Sequence, residues 1–479
     1  MDMENSSVPR SPNPRRRRRS KLQIFKEAYL PTIILAVTFV LIVVFVIGAL
    51  VSGEDPQGTE PSGSEAPNPS VTESSAPDQT EPTIPPALQQ EAQDCLAQAK
   101  QQADMYNYDG ALATLDGFSG DLQAFPELVQ AYQTYTNIKL NMVDWNASDV
   151  INLSFQLLIA DPARAFPDDV YGSLYKRNFV TVSEFSAILQ QLYDNGYVLV
   201  SMDDFYYEEF NTSNGRYVFK EKTVQLPAGK KPIMITETNV NYYNYMIDSN
   251  GDGKPDAGAD GFAARLCHDE NGFYNEIVNA DGSVSTGSYD LVPLLEDFIA
   301  ENPDFSYRGA RAIIAFSGYD GVLGYRINST KLGAAALQTE RDGAAAIIEA
   351  LKNAGYDLAC YTYDNLNYNT ATPARVQQDI QKWLDEIAPW IGSLDMLVFA
   401  RDTDIAGTES YSGNSKFNVL YNAGFKYFLG MMDTGAWNQV DEQYVRQNRM
   451  SVSGYYMLNH PQMYEGLFDV EAVKDSARG

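Results

Sequence analysis

Residues 181–204 read TVSEFSAILQQLYDNGYVLVSMDD, which holds a helix start, a helix stop and a strand in succession. Thr181 followed three positions later by Glu184 is a capping-box spacing. Phe185, Ile188, Leu189, Leu192 and Tyr193 then recur at i, i+3, i+4, i+7 and i+8, which is one face of a helix. Gly196 stops that helix, and 197–200 (Tyr-Val-Leu-Val) reads as a buried strand. The same rhythm returns in the apolar runs at 233–236, 312–316, 358–363, 396–401, 427–432 and 455–458, with helical stretches such as 343–354 and 373–387 between them. Continuous apolar strands joined by crossover helices predict a parallel sheet covered on its outside and closed into a distorted (β/α)7-8 barrel. Ligands of such barrels meet the loops that follow the strands' C-terminal ends.

Outward from this unit the chain changes character several times. Lys plus Arg number 35 against 63 Asp plus Glu, a net charge of −28. That balance excludes nucleic acid, whose phosphates need a basic face. The exception is the tail 1–27, with eight basic and three acidic side chains, including Arg15 to Arg19. Residues 28–53 carry no charge and are mostly aliphatic. At 1.5 Å per residue such a run is long enough for the ~30 Å hydrocarbon core. It exceeds the apolar region of a cleaved leader, and no A-x-A-like site closes it. The expectation is a single-pass transmembrane helix with the basic tail cytoplasmic and the acidic bulk extracellular. Residues 54–87 hold eight prolines among Ser, Thr, Gly and acidic residues. This is a disordered stalk, reaching about 30 Å as a coil and about 100 Å as polyproline II.

Residues 88–149 read as a small all-α region. Tyr106-Asn-Tyr-Asp-Gly-Ala-Leu112-Ala-Thr-Leu115 resembles the helical hairpin of tetratricopeptide repeats. One unit is no array, so its expected place is against the domain that follows, residues 150–479.

Within 150–479, the order Val182-Ser-Glu-Phe185, then Asn195 to Asp204, then Lys231-Pro-Ile-Met-Ile-Thr236 resembles the polysaccharide deacetylase family, carbohydrate esterase family four. Gly355 to Asn365, Phe399 to Ile405 and Leu458-Asn-His460 stand where that family's later motifs belong. The resemblance implies a barrel that removes acetyl groups from glycans such as peptidoglycan or chitin, using a divalent metal. It also places residues. The family's base and first ligand fall on Thr238 and Asn239, and its two imidazoles fall on Tyr361 and Asn365. A neutral amide and a phenol are poor ligands beside carboxylate and imidazole. Without the ion, nothing lowers the pKa of the attacking water. Catalytic zinc or cobalt is therefore not expected. Glu237, Asp402, Asp404 and His460 remain as possible remnants, and Asp364 joins the carboxylates that follow predicted strands. Tyr242, Tyr243, Tyr245, Tyr361, Tyr363 and Tyr368 supply rings on which a sugar could stack.

Asp248-Ser-Asn-Gly-Asp-Gly-Lys-Pro-Asp256 matches D-x-N-x-D-G-x-x-D, placing Asp248, Asn250, Asp252 and Asp256 as oxygen ligands of a structural calcium ion. A plain turn is the rival reading, because Ala259 stands where an EF-hand has its bidentate Glu. Two classes of function follow. The favoured one is a membrane-anchored, inactive deacetylase-like protein that binds cell-surface glycan or peptidoglycan. The alternative is a working metal-dependent N-deacetylase or other carbohydrate-active hydrolase.

Overall fold

The computed structural model of the chain describes residues 84–247, 260–279, 281–432 and 435–478. The basic tail, the uncharged run 28–53, nearly all of the stalk, and the 248–259 loop with Asp248, Asn250, Asp252 and Asp256 lie outside these residues. Among the described residues no helix is long and apolar enough to cross a membrane.

Seven strands close into a ring. They are β1 (Ile151–Gln156), β2 (Lys231–Thr238), β3 (Ile313–Phe316), β4 (Asp357–Cys360), β5 (Met396–Val398), β6 (Tyr427–Met431) and β7 (Val445–Ser451). Each pairs in parallel with the next, and β7 pairs back to β1. The barrel expected from the sequence is therefore present, although two of its staves differ. The run at 197–200 forms Tyr197–Leu199, a side branch on the first residues of β2. The run at 455–458 is helix, Gly454–Asn459, whose cap Ser453 accepts from the Tyr456 N–H. A four-residue apolar run does not by itself distinguish strand from helix. Their places are taken by β1, which alternates polar with apolar residues, and by β7, which carries four polar residues in succession at 446–449; the barrel interior is partly polar. Thr236 Oγ1 donates to Asn152 Oδ1 (2.7 Å), Asn152 Nδ2 to Gln447 Oε1 (3.1 Å), and Arg449 Nη1 to Ser154 Oγ (2.6 Å).

The strands bury both faces. Ile233 and Ile235, Ile314 and Phe316, and Leu358 and Cys360 face outward into one cluster with helix residues such as Phe185, Ile188 and Trp383. Met234, Ala315, Ala359, Val398 and Leu429 alternate with them and form the inner cluster. Small residues suit that interior, since eight strands already leave only enough room for side chains to fill. The helices Pro86–Asp104, Tyr108–Asp116 and Pro126–Leu140 contribute Ala99, Leu115 and Leu128 to the inner cluster. Tyr106 donates to the Asp304 carbonyl (2.7 Å), and the Arg308 N–H to that of Met105 (2.9 Å), which fastens them to the segment entering β3. Cys95, Cys267 and Cys360 are buried free thiols.

The helix Val182–Asp194 has the capping box that its sequence announced. Its Glu184 does more than cap. While Oε2 accepts from the Thr181 N–H (2.9 Å), the same carboxylate receives the Arg478 guanidinium, Nη2 to Oε2 at 2.6 Å. Both side chains are buried, at 0% and 1% exposure. Arg478 also donates to the carbonyls of Lys176 (2.5 Å) and Phe179 (2.6 Å). Removing one partner of such a pair strands a buried charge, at a cost of about 3–5 kcal/mol. Arg478→Ala is expected to lower the unfolding free energy by about that amount in urea titrations. Lys474→Ala, which removes a surface pair with Glu471, is expected to change it by less than ~1 kcal/mol.

Candidate functional site

The loops after β2, β3, β4 and β5 form the rim where a barrel ligand would sit. Of the nine described non-glycine residues with positive φ, seven lie in these loops: Asn239, Tyr242, Asp320, Leu323, Thr362, Asn365 and Arg401. Such conformations cost on the order of 1–3 kcal/mol each and persist where surrounding contacts over-determine them. Here the contacts are amide hydrogen bonds. Asn241, fully buried, donates from Nδ2 to the carbonyls of Ser317 (2.9 Å), Tyr319 (3.1 Å) and Gly321 (2.6 Å), and its Oδ1 accepts from the Ser317 N–H (2.8 Å). That one side chain ties the loop after β2 to the loop after β3.

Two of the positions assigned by the resemblance come together on one atom. The Tyr243 hydroxyl donates to Asn239 Oδ1 and accepts from Asn365 Nδ2 (3.0 Å), with Ser317 Oγ at 3.3 Å. Asn365 Oδ1 is buried with no partner among the described residues. Tyr361 stands beside this group: its hydroxyl accepts from the Arg401 N–H (3.3 Å), and Arg401 Nε donates to the Asn365 carbonyl (3.3 Å). Thr238 is buried and donates to the Phe155 carbonyl (3.1 Å). Burial pushes the Tyr243 phenol up to about 12, so it is a neutral hydroxyl at any physiological pH. The set offers two amides and two phenols with no negative charge. It does not fit the divalent ion of a deacetylase. Among the described residues no three His, Cys, Asp or Glu side chains gather as a metal-binding group.

The remaining candidates are dispersed. Asp404 is buried against Arg446 (2.9 Å) and accepts from Tyr411 (2.6 Å) and the Ala406 N–H (2.8 Å), so its oxygens are committed. Asp364 pairs with Arg375 (3.0 Å). The side chain of Asp402 is outside the described residues. His460 ends the helix Gly454–Asn459 and lines a cavity of ≈ 570 Å³ beyond β6 and β7, with Met431, Met432, Met450, Met463, Tyr455, Tyr456 and Arg449. Neither Asn239, Tyr361 nor Asn365 lines it.

Of the named rings, Tyr242, Tyr363 and Tyr368 are buried. Tyr243 stacks on Tyr245 (5.5 Å between centroids, 14°) and packs against Tyr319 (5.9 Å). Tyr245 and Tyr319 are each 53% exposed, so this is the ring surface a ligand could reach. Sequence reasoning named Tyr243 among several tyrosines and gave no place to Asn241, Ser317 or Arg401. An amide three residues after a buried strand was a signal for Asn241; nothing marked the other two.

No protein-family model matches the sequence, and no curated protein does. Two of the solved structures similar to it are deacetylases. One is a Streptococcus pyogenes deacetylase, PplD, in complex with acetate: 12% identity, covering 66% of this chain and 97% of that one, TM-score 0.30. The other is the BpsB deacetylase domain from Bordetella bronchiseptica: 13% identity, 64% and 98% covered, TM-score 0.31. At such values the architecture rests on the closed ring of strands itself.

Glu237 points away from the rim, on the outward face of β2. No N–H donor reaches its oxygens, and its polar partner is the neighbouring Asp290 carboxyl, which also meets the Tyr242 hydroxyl. The two carboxyls are buried together, with the Leu158 N–H on Asp290 Oδ1 (2.9 Å). Burial, reinforced by the charge of Asp290, holds the Glu237 carboxyl well above the usual range. Burial raises Asp290 as well. The folded state therefore keeps a proton that the unfolded chain releases near pH ~4.3. Stability contributed by that proton is full below this value and is lost as pH rises toward the folded pKa. Glu237→Gln is expected to flatten the fall in unfolding free energy between pH 5 and pH 8 and to be the more stable form at pH 8. A variant less stable than wild type at pH 8 would contradict the shared-proton account.

Proposed function

We propose that this protein is a membrane-anchored, extracellular polysaccharide deacetylase-like protein that binds or organises cell-surface glycan without removing its acetyl groups. The observation that carries this reading is the Asn239–Tyr243–Asn365 hydrogen-bonded group. Asn239 and Asn365 fall where the resemblance places metal ligands, and the group supplies only neutral donors and acceptors. The stacked pair Tyr243–Tyr245 and the adjoining Tyr319 support a glycan partner, because sugar rings bury their C–H faces on aromatic rings. The uncharged run 28–53 behind a basic tail supports the anchor, and the proline-rich stalk supports display of the barrel away from the bilayer. The Asp248–Asp256 pattern supports a structural calcium ion.

Full-length protein in detergent is expected to bind N-acetylglucosamine oligomers or peptidoglycan fragments in calorimetric titrations. Tyr245→Ala and Tyr319→Ala should each weaken that binding about tenfold, or about 1.4 kcal/mol. The same preparation should release no acetate with zinc or cobalt supplied. Metal-dependent release abolished by His460→Ala would instead assign the working N-deacetylase. Protease added outside intact cells is expected to remove everything after about residue 54, and protection of the barrel would refute the extracellular assignment. Calcium should raise the unfolding midpoint of the wild type through binding to the native state. An Asp252→Ala variant should lose that increment, and an equal midpoint with and without chelator would leave the turn reading.

A further inference from the structure

We infer that the Tyr243 hydroxyl fills the point on which the ligands of a deacetylase-type metal site would converge, so that the phenol, and not merely the loss of ligands, keeps an ion out. The resemblance places ligands at positions 239 and 365 from motifs that do not include Tyr243. The fold brings these two side chains from separate loops onto a single oxygen, which donates to Asn239 Oδ1 and accepts from Asn365 Nδ2 at 3.0 Å. Ser317 Oγ, from a third loop, completes its surroundings at 3.3 Å. A hydroxyl with one proton and two lone pairs is saturated by three such neighbours.

An ion bound to those two side chains would have to lie about 2.0–2.2 Å from each ligating atom. The phenol oxygen is already bonded to both of these side chains. It is also not free to swing away. Its ring is held between Tyr245 and Tyr319, it is nearly fully buried, and the preceding residues Asn239 and Tyr242 are fixed at φ 65° and 49°. Restoring anionic and imidazole ligands at 239, 361 and 365 therefore creates donors for an ion but no space for one. The inference concerns the ligand correspondence and does not depend on glycan binding, which the Tyr245 and Tyr319 variants read separately.

The test is cobalt(II) titration of the full-length protein, followed by the visible absorption of the bound ion. Three proteins are compared: the wild type, the triple variant Asn239→Asp/Tyr361→His/Asn365→His, and that triple variant with Tyr243→Ala added. Wild type and triple variant are expected to develop no tetrahedral cobalt band. The fourfold variant should bind cobalt at least 100-fold more tightly than the triple variant. Equal binding by the triple and fourfold variants overturns the inference, as does a fourfold variant that unfolds cooperatively yet binds no cobalt. Should the fourfold variant fail to fold, the triple variant decides alone: a tight cobalt site formed with Tyr243 in place overturns the inference, and its absence supports it.

Discussion

Closure of the ring depends on the two edges of β2. Six of its residues run against β1 from Ile151–Ile233 to Gln156–Thr238. Its opposite edge is divided, with Tyr197–Leu199 on the first three residues and β3 on the last three. A parallel sheet with an open edge would expose unpaired backbone groups along that edge. Sharing β2 between two short strands lets the ring close while the side branch covers the remainder. The same strand delivers Thr238 and Asn239 to the rim and turns Glu237 outward, so one hydrogen-bonded seam sets which neighbouring residues can meet a ligand.

The interior of the ring combines two demands. Near the helical region it is apolar, with Met234, Ala315, Ala359 and Val398 packed against Leu115 and Leu128. Between β1, β2 and β7 it is polar, and Asn152, Thr236 and Gln447 satisfy one another within it. Buried polar groups are stable when paired and costly when not, and Gln447 Nε2 is left over. For Glu237 the charge problem is relieved by holding a proton next to Asp290. Asp404 reaches the opposite solution: it stays buried beside Arg446, whose guanidinium stacks on Tyr411 at 4.1 Å.

Strain and hydrogen bonding concentrate together at the rim. Asn239, Thr362, Asn365 and Arg401 hold left-handed backbone in loops that follow three different strands. Each is joined to its neighbours by side-chain or backbone bonds around Tyr243 and Tyr361. Amides and phenols tie these loops together, which leaves the outer tyrosine faces as the chemically accessible part of the rim.

Period and punctuation in the sequence determined the parallel barrel, the capping box at Thr181–Glu184 and five of the seven staves. These are local or near-local signals: an apolar run, a cap spacing, a glycine stop. The sequence did not reveal β1 or β7, because their inward residues are polar and only the closed interior makes polar residues buried ones. It could not tell that Glu237 belongs to the outer layer, since that depends on which face of β2 the helices cover. Nor could it rank Tyr243 above the other tyrosines. Its role arises when loops 122 residues apart in sequence deliver Asn365 to its hydroxyl, and only tertiary structure brings those atoms within bonding distance.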